Sequence, residues 1–509
     1  MRWKTGVLTL ERLQTVCCGL SAAACLAAAV AGGGSLAWAE PPHGLRVRVR
    51  LDVTGELVAP AGRDAAPVRE PVEMNARFDF EETAGDSEAV ARRYQDATAV
   101  MRVGETTAQA TLAADARLLL VAKQGTTPVP YLAEGFLSAA EFDLLETPFD
   151  SLLLDDMLPQ EPVVVGGKWE IPADVVAGLL VIDTVESGSL EARVQDVVDG
   201  RASVVFSGII DGAADGVPTH VTVEGSFTAP ATSSVDNDSD DAARPSRQQL
   251  RGPVMQATAL IRERRQASHV APGFDLEARL QVAKTPLGVP LGLVIETSEQ
   301  TASGTSDAAP PAVSLRRQGT GRPGNVWYRD AAGRFDLVHD RRWRQVENGG
   351  SGLVMRLVDR GTLVGQCSIT VLPGAAAAVL PTRSDVQRDI ERSLAGQIIR
   401  TDAAVESDRE DGLRIVRLES SGTAGNLPFC WIHYVLAAPD GSRVNVTFMF
   451  EEPLRKRFAD TDRPLIESLR LPATSEDRKM PTTEARTQPP APPESGPTAL
   501  RLGEVIPVR

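Results

Sequence analysis

From Leu45 to Val53 apolar and charged residues alternate strictly (Leu45-Arg46-Val47-Arg48-Val49-Arg50-Leu51-Asp52-Val53), and a period of two places the apolar set on one face of an extended chain. The same alternation returns in Met74–Phe80, Leu190–Val194, Val221–Phe227 and Phe274–Val282, and further strands are predicted at 97–103, 117–123, 202–210 and 254–266. One polar face per strand means an antiparallel sheet wet on one side, not a parallel sheet covered by helices. Two short helices interrupt the strands. Ser138 with Glu141 is a capping-box pattern opening Ala139–Glu146, and Pro172 suits the first turn of Ala173–Leu180.

The later part of the chain mixes both periods. Strands are predicted at 326–329, 334–339, 352–358, 363–372, 412–419, 428–437 and 443–450, the last two joined by the turn Pro439-Asp440-Gly441-Ser442. Val386, Ile390, Leu394 and Ile398 recur every fourth residue, one helical face, with Ser384 as the expected N-cap. A closing helix is expected at 462–470. Residues 229–246 are polar and acidic and read as a loop, and 296–325, rich in Ser, Thr, Gly, Pro and Ala, read as a linker. Proline and charge dominate 472–509, the composition of a disordered tail. The expected fold class is α+β: an antiparallel β-rich domain with short helices over 45–295, then a smaller α+β domain over 326–471. A chain of 509 residues is too long for one ordinary core, which agrees with two domains.

The first 39 residues have the layout of a signal peptide. Arg2 and Lys4 make a positive start, Leu13–Val30 is mostly apolar, and Ala37-Trp38-Ala39 is an A-x-A cleavage pattern before Glu40. No Arg-Arg pair precedes the apolar run, so the general secretion route is expected, with a periplasmic or secreted product. Left uncleaved, the segment would serve as an N-terminal membrane anchor; acylation at Cys25 is disfavoured by the Ala22-Ala23-Ala24 before it. No other stretch is long and apolar enough to span a bilayer. Cleavage also removes Cys17, Cys18 and Cys25 and leaves Cys367 and Cys430, an even pair in an oxidising space and a candidate disulfide. The formal charge of −15 sets the chain against nucleic acid and anionic lipid.

Two resemblances add to this. Ala91-Arg92-Arg93-Tyr94, Leu154-Asp155-Asp156-Met157-Leu158-Pro159, Val165-Gly166-Gly167-Lys168-Trp169, Ser207-Gly208 through Gly216-Val217-Pro218-Thr219, Ile261–Arg265 and His269–Gly273 make the first domain resemble a family of uncharacterised exported bacterial proteins of a kind common in planctomycetes. That family implies no activity. Phe335-Asp336-Leu337 with Trp343, the single helix near 384–398, the hairpin at 428–450 and the ending 462–471 make the second domain resemble the PsbP/Mog1-like fold. That resemblance implies a binding or assembly factor with no shared catalytic site, by analogy of fold alone.

The search for chemistry is brief. No P-loop, H-E-x-x-H, C-x-x-C or G-x-S-x-G occurs after the leader. Gly319–Gly324 matches G-x-G-x-x-G in letters, but it follows no strand and Pro323 does not suit a helix entry. Asp236–Asp241 begins like a calcium loop, yet Asp241 stands where glycine is needed and Arg247 where the distal glutamate is needed. His339 neighbours Asp340 in sequence but not on the same strand face, and an offset of three puts Cys430 and His433 on opposite faces. Arg262, Arg264 and Arg265 form a basic cluster, either an exposed polar strand face or an anion-binding patch. No cofactor or metal is expected. The expected function is an exported, non-enzymatic binding or interaction protein whose partner is a protein or an apolar small molecule held on a curved apolar sheet face. The alternative is a hydrolase using His339 or His269 with a carboxylate.

Overall fold

In a computed structural model the described residues are 44–59, 68–84, 89–234, 247–266, 272–287, 320–349, 352–374, 381–394 and 397–472. They divide into two compact units, one running to Val326 and also counting Asp359–Thr362, the other made of Trp327–Val358 and the chain from Leu363 onward. Both are rich in strands arranged as antiparallel sheets. The leader, the run Asp236–Asp241, His269, Gly319 and the tail beyond 472 lie outside the described residues, as does most of the expected linker.

The first unit holds β1 (Leu45–Ala59), β2 (Val68–Ala84), β3 (Val90–Val103), β4 (Thr106–Thr111), β5 (Leu118–Gln124), β6 (Thr127–Tyr131), β7 (Leu137–Ser138), β8 (Lys168–Ile171), β9 (Thr184–Val198), β10 (Arg201–Ala214), β11 (Val217–Ser234), β12 (Arg247–Leu250), β13 (Gln256–Arg265) and β14 (Gly273–Pro286). Its helices are α1 (Ala139–Leu145) and α2 (Ala173–Leu180), with a 3-10 turn at Leu154–Met157. The sheet runs β6-β5-β3-β2-β1-β14-β13-β11-β10-β9-β8, with β4 on β3 and β12 on β11. Asp199-Gly200 and Asp215-Gly216 close the β9–β10 and β10–β11 hairpins with positive φ at both residues, the turn whose twist matches paired strands. The edge strand β6 carries Pro128 and Pro130, which remove donors that an open edge would otherwise present.

Alternation decides the faces. Val47, Val49, Leu51 and Val53 are buried while Arg48 and Arg50 are exposed, and Phe78, Phe80, Val221, Val223, Leu276 and Leu280 join the buried set. The apolar face is covered by the chain's own helical stretch: Phe142 of α1, Leu154 and Met157 of the 3-10 turn and Leu179 of α2 are almost wholly buried in the same cluster. Phe149 stacks 5.6 Å from Phe206, which lies 6.2 Å from Phe227. Each such side chain contributes roughly 1.5–3 kcal/mol by leaving water. Both arms of the Ser138–Glu141 capping box are formed.

The second unit holds β15 (Asn325–Arg329), β16 (Asp336–Asp340), β17 (Trp343–Gly349), β18 (Gly352–Asp359), β19 (Thr362–Leu372), β20 (Ile398–Asp408), β21 (Arg414–Ala424), β22 (Leu427–Ala437) and β23 (Arg443–Glu451), with α3 (Arg383–Ser393), α4 (Arg455–Phe458) and α5 (Asp462–Ser468). Seven strands form one sheet in the order β17-β18-β19-β23-β22-β21-β20. One face packs Met355, Ile369, Ile432, Phe448 and Phe450 against Phe458, Leu465 and Ile466 of α4 and α5. The other takes Val386 and Ile390 of α3 on Val416, Leu418 and Val435. β22 lies under both layers, which explains its near-continuous apolar run, buried from Cys430 to Ala437.

Two local expectations are corrected. The N-cap of α3 is Thr382, whose hydroxyl accepts from the Asp385 N–H while Asp385 bonds back to Thr382, so the helix begins one residue before Ser384. The helix stops at Ser393, and Ile398 opens the edge strand β20 instead of completing a fourth turn. A four-residue recurrence that crosses an element boundary has no means of marking it.

Candidate functional site

The buried face of the first sheet carries a charged cluster. Arg92 of β3 stands opposite Glu82 of β2, and Lys284 of β14 reaches the same region from opposite Val47. The Arg92 guanidinium donates from Nε to Glu82 Oε1 at 2.9 Å and forks onto Asp150, Nη1 to Oδ2 at 2.8 Å and Nη2 to Oδ1 at 2.6 Å. Ser151 Oγ donates to Glu82 Oε1 at 2.5 Å and accepts from Arg92 Nη2 at 3.0 Å. Lys284 Nζ donates to the Ser151 carbonyl at 2.7 Å. Asp155 Oδ1 lies 3.7 Å from that ammonium and accepts from the Val254 N–H. Arg92 is 3% exposed and also sits over the Phe80 ring. Burial pushes the Asp150 carboxyl up, and the attraction and paired bonds of Arg92 more than offset it, leaving Asp150 below the usual carboxylate range. Burial works against the Arg92 cation too, but Asp150 and Glu82 hold it well above its ordinary value. Tyr94 beside the cluster is pushed up to about 12 by burial.

Asp150 also lines a cleft, about 20 Å³ in volume, with Pro128 and Pro130 of β6, Glu146, Gly178 of α2 and Val181. Two large residues beside it hold left-handed backbone, Phe149 at φ 53° and Val181 at φ 54°. Both pay steric strain there, the β-branched Val181 most, and backbone bonds hold them in place: Val181 N–H donates to the Gly178 carbonyl at 3.3 Å and Phe149 N–H to the Leu179 carbonyl at 2.7 Å. Concavity, a fully bonded ion cluster and backbone strain therefore meet at one place. Arg92, Tyr94 and Asp155 stand among the residues that carry the first domain's resemblance, but no sequence pattern joined them to Glu82, Asp150 or Lys284.

The second unit spends its polar groups on a relay that ties α4 and α5 to the sheet. Tyr434 donates to Asp462 at 2.5 Å, Arg417 donates to Tyr434 Oη at 2.9 Å and to Glu419, and Arg455 donates to Glu419 at 2.6 Å and to Glu452. Cys430 ends the relay, its thiol donating to Glu452 and its sulfur accepting from Arg455. Burial, followed by the bond to Glu452, pushes that thiol up to about 12, so it stays protonated.

The sequence-singled residues are dispersed. Cys367 and Cys430 are both buried free thiols. Cys367 of β19 pairs with Phe448 of β23 and Cys430 of β22 pairs with Phe450 of β23, so a whole strand separates them and the expected disulfide is not formed. Arg262, Arg264 and Arg265 do not make one patch. Arg262 and Arg264 are exposed and donate to Glu277 and Asp275, whereas Arg265 points to the buried face and donates to Glu263. Neighbours in a strand take opposite faces, which divides any consecutive basic run. His339 is buried, its Nδ1 meets the Asp340 backbone carbonyl and not its carboxylate, and burial lowers its pKa. His433 faces away from Cys430, with Nδ1 3.1 Å from Thr447 Oγ1, and burial takes it down to about 4. His220 has a carboxylate partner, Asp211 at 2.7 Å, but the pair is exposed and Ser187 lies on the far side of Asp211. Among the described residues no group of three metal-binding side chains is found, and no helix is long and apolar enough to cross a membrane.

No family model matches the chain, and no curated protein matches it. Solved structures with partial likeness include the solution structure of a cyanobacterial PsbP (CyanoP) from Synechocystis sp., at 15% identity over 29% of this chain and 92% of that one, with a TM-score of 0.25. Lipovitellin is similar at 7% identity over 49% of this chain and 26% of its own, TM-score 0.25, and a porin of Rh. blastica at 9% over 80% and 99%, TM-score 0.10. At these scores none of the likenesses carries an argument about function.

Proposed function

We propose that the protein is an exported binding or interaction protein without catalytic activity, cut after Ala39 and working in the periplasm or outside the cell. The observation that carries the reading is the state of its reactive groups. The Cys430 thiol is raised to about 12, the His433 imidazole is lowered to about 4, and His339 is buried on a backbone carbonyl. A nucleophilic thiol needs a lowered pKa, and a general base needs one near the working pH. The cleft beside Asp150 has room for about one water, so the reading places a ligand or partner on the protein's surface and not inside that cleft. The second unit is read as a PsbP/Mog1-like module; in support, a single helix packs on one face of a seven-stranded antiparallel sheet and a closing helix on the other.

The test is native mass spectrometry of the protein purified from the cell that makes it. Expected is a chain starting at Glu40 that retains a small apolar ligand or a protein partner. A bare chain whose ester hydrolysis is abolished by His339→Ala would replace this reading with the hydrolase.

A further inference from the structure

The wet face of the first sheet presents an arrangement that strand pairing alone disfavours. Arg50 of β1 and Arg77 of β2 stand directly opposite each other, and like charges in that position destabilise a sheet. Both are exposed, and Arg48, 65% exposed, precedes Arg50 by two residues on the same face. Local carboxylates only partly answer them. Asp52 pairs with Arg50 at 2.8 Å, and Asp79 is shared between Arg46 at 2.8 Å and Arg48 at 3.4 Å. Arg77 has no carboxylate partner among the described residues. Its other cross-strand neighbour is Thr98, and that of Arg50 is Gln281, both neutral. A basic spot thus lies on the central strands of a chain whose formal charge is −15.

We propose that Arg48, Arg50 and Arg77 form a docking surface for an extended acidic peptide segment of a protein partner, with carboxylates at alternate positions. Residues two apart in a strand are roughly 6.6–6.8 Å apart, so arginines on β1 and carboxylates on an extended peptide share one repeat. Guanidinium forks take carboxylates in pairs of parallel bonds, and all three positions are arginine rather than lysine. Long polyanions are disfavoured by the chain's negative field, whereas a short peptide feels mainly charges within a Debye length, about 8 Å at physiological salt. The inference rests on the binding reading and names one partner chemistry for it.

The experiment titrates the full chain against a short fluorescent peptide alternating Glu and Thr, its Gln-for-Glu counterpart and inorganic polyphosphate, following anisotropy. The Glu peptide should bind and the Gln peptide should not. The double variant Arg50→Gln/Arg77→Gln should lose about tenfold or more in affinity, with lysine at both positions restoring only part of it. Arg262→Gln, on β13 two strands away from Arg50 and outside the proposed surface, should change nothing. The same double variant should melt at or above the wild-type temperature, because a repulsive pair has gone; a purely structural role for these arginines would lower it. No saturable binding of the Glu peptide, equal binding by the double variant, or polyphosphate binding with the same arginine dependence each overturns the assignment. A chain that ignores all three probes yet retains a ligand in native mass spectrometry loses this surface and keeps the binding reading.

Discussion

Replacing Arg92 with methionine tests the buried cluster most directly. Methionine matches much of the arginine stem, so the change removes the charge and its donors with little loss of volume. It leaves Glu82, 5% exposed, and Asp150, 12% exposed, as carboxylates without their cation. Breaking a buried pair by removing one partner costs about 3–5 kcal/mol, and in a unit of this size each kcal/mol moves the melting temperature by roughly 2–4 °C. The expected drop is therefore about 6–20 °C in the first unit's calorimetric transition at neutral pH. The pH dependence has a definite sign. In the wild type Asp150 is held below its unfolded value, so its contribution is present above about pH 4 and is lost as acid protonates it. In the variant Asp150 feels burial without Arg92, its folded pKa rises above the unfolded one, and the deficit grows as pH rises and shrinks toward pH 5. The triple variant Glu82→Gln/Arg92→Met/Asp150→Asn should be less destabilised than Arg92→Met alone, because no unpaired charge remains. A cost below about 1 kcal/mol for Arg92→Met, or a triple variant at the additive sum, would refute the reasoning.

Three further outcomes follow from the geometry. Alkylation without reductant should leave Cys367 and Cys430 unlabelled in the native protein and label both after denaturation; a disulfide-linked peptide pair in the mass map would contradict the β19-β23-β22 order. His433 is neutral when folded, with its pKa near 4 against about 6.5 unfolded, so its contribution is complete above pH 6.5 and is lost as pH falls toward 4. His433→Leu should flatten that acid limb in pH-dependent melts and, by removing a buried Nε2 that lacks a hydrogen-bond partner, should not lower stability by more than about 1 kcal/mol at neutral pH. Gly225→Val should leave the chain insoluble or unfolded by circular dichroism, since even a Cβ there would lie 2.1 Å from the Thr258 carbonyl oxygen and 2.5 Å from Phe206 Cζ; a folded, wild-type-like melt would show that the β11–β13 pairing differs.

Much of this architecture was legible in the sequence because it depends on local periods. Leu45–Val53 alternates, and the strand it predicts has Val47, Val49 and Leu51 buried and Arg48 and Arg50 exposed, as a period of two requires. The capping box at Ser138 and the turn before Arg443 are short-range patterns whose chemistry is complete within a few residues. Short or proline-bearing edge strands such as β6 and β8 escaped, because their stability comes from a neighbour and not from their own composition.

Which residues meet across the sheets was decided only by tertiary structure. The sequence places Cys367 and Cys430 in strands of one domain; the insertion of β23 between those strands keeps the thiols from bonding. It shows Arg262, Arg264 and Arg265 as one basic run; the pleat sends the last to the buried face. Glu82, Arg92, Asp150, Ser151 and Lys284 are scattered over some two hundred positions, and strand register together with the chain folded over the apolar face brings them within hydrogen-bonding reach of one another. Register is a property of pairs of strands, set by how the whole apolar face packs, so no single segment carries it.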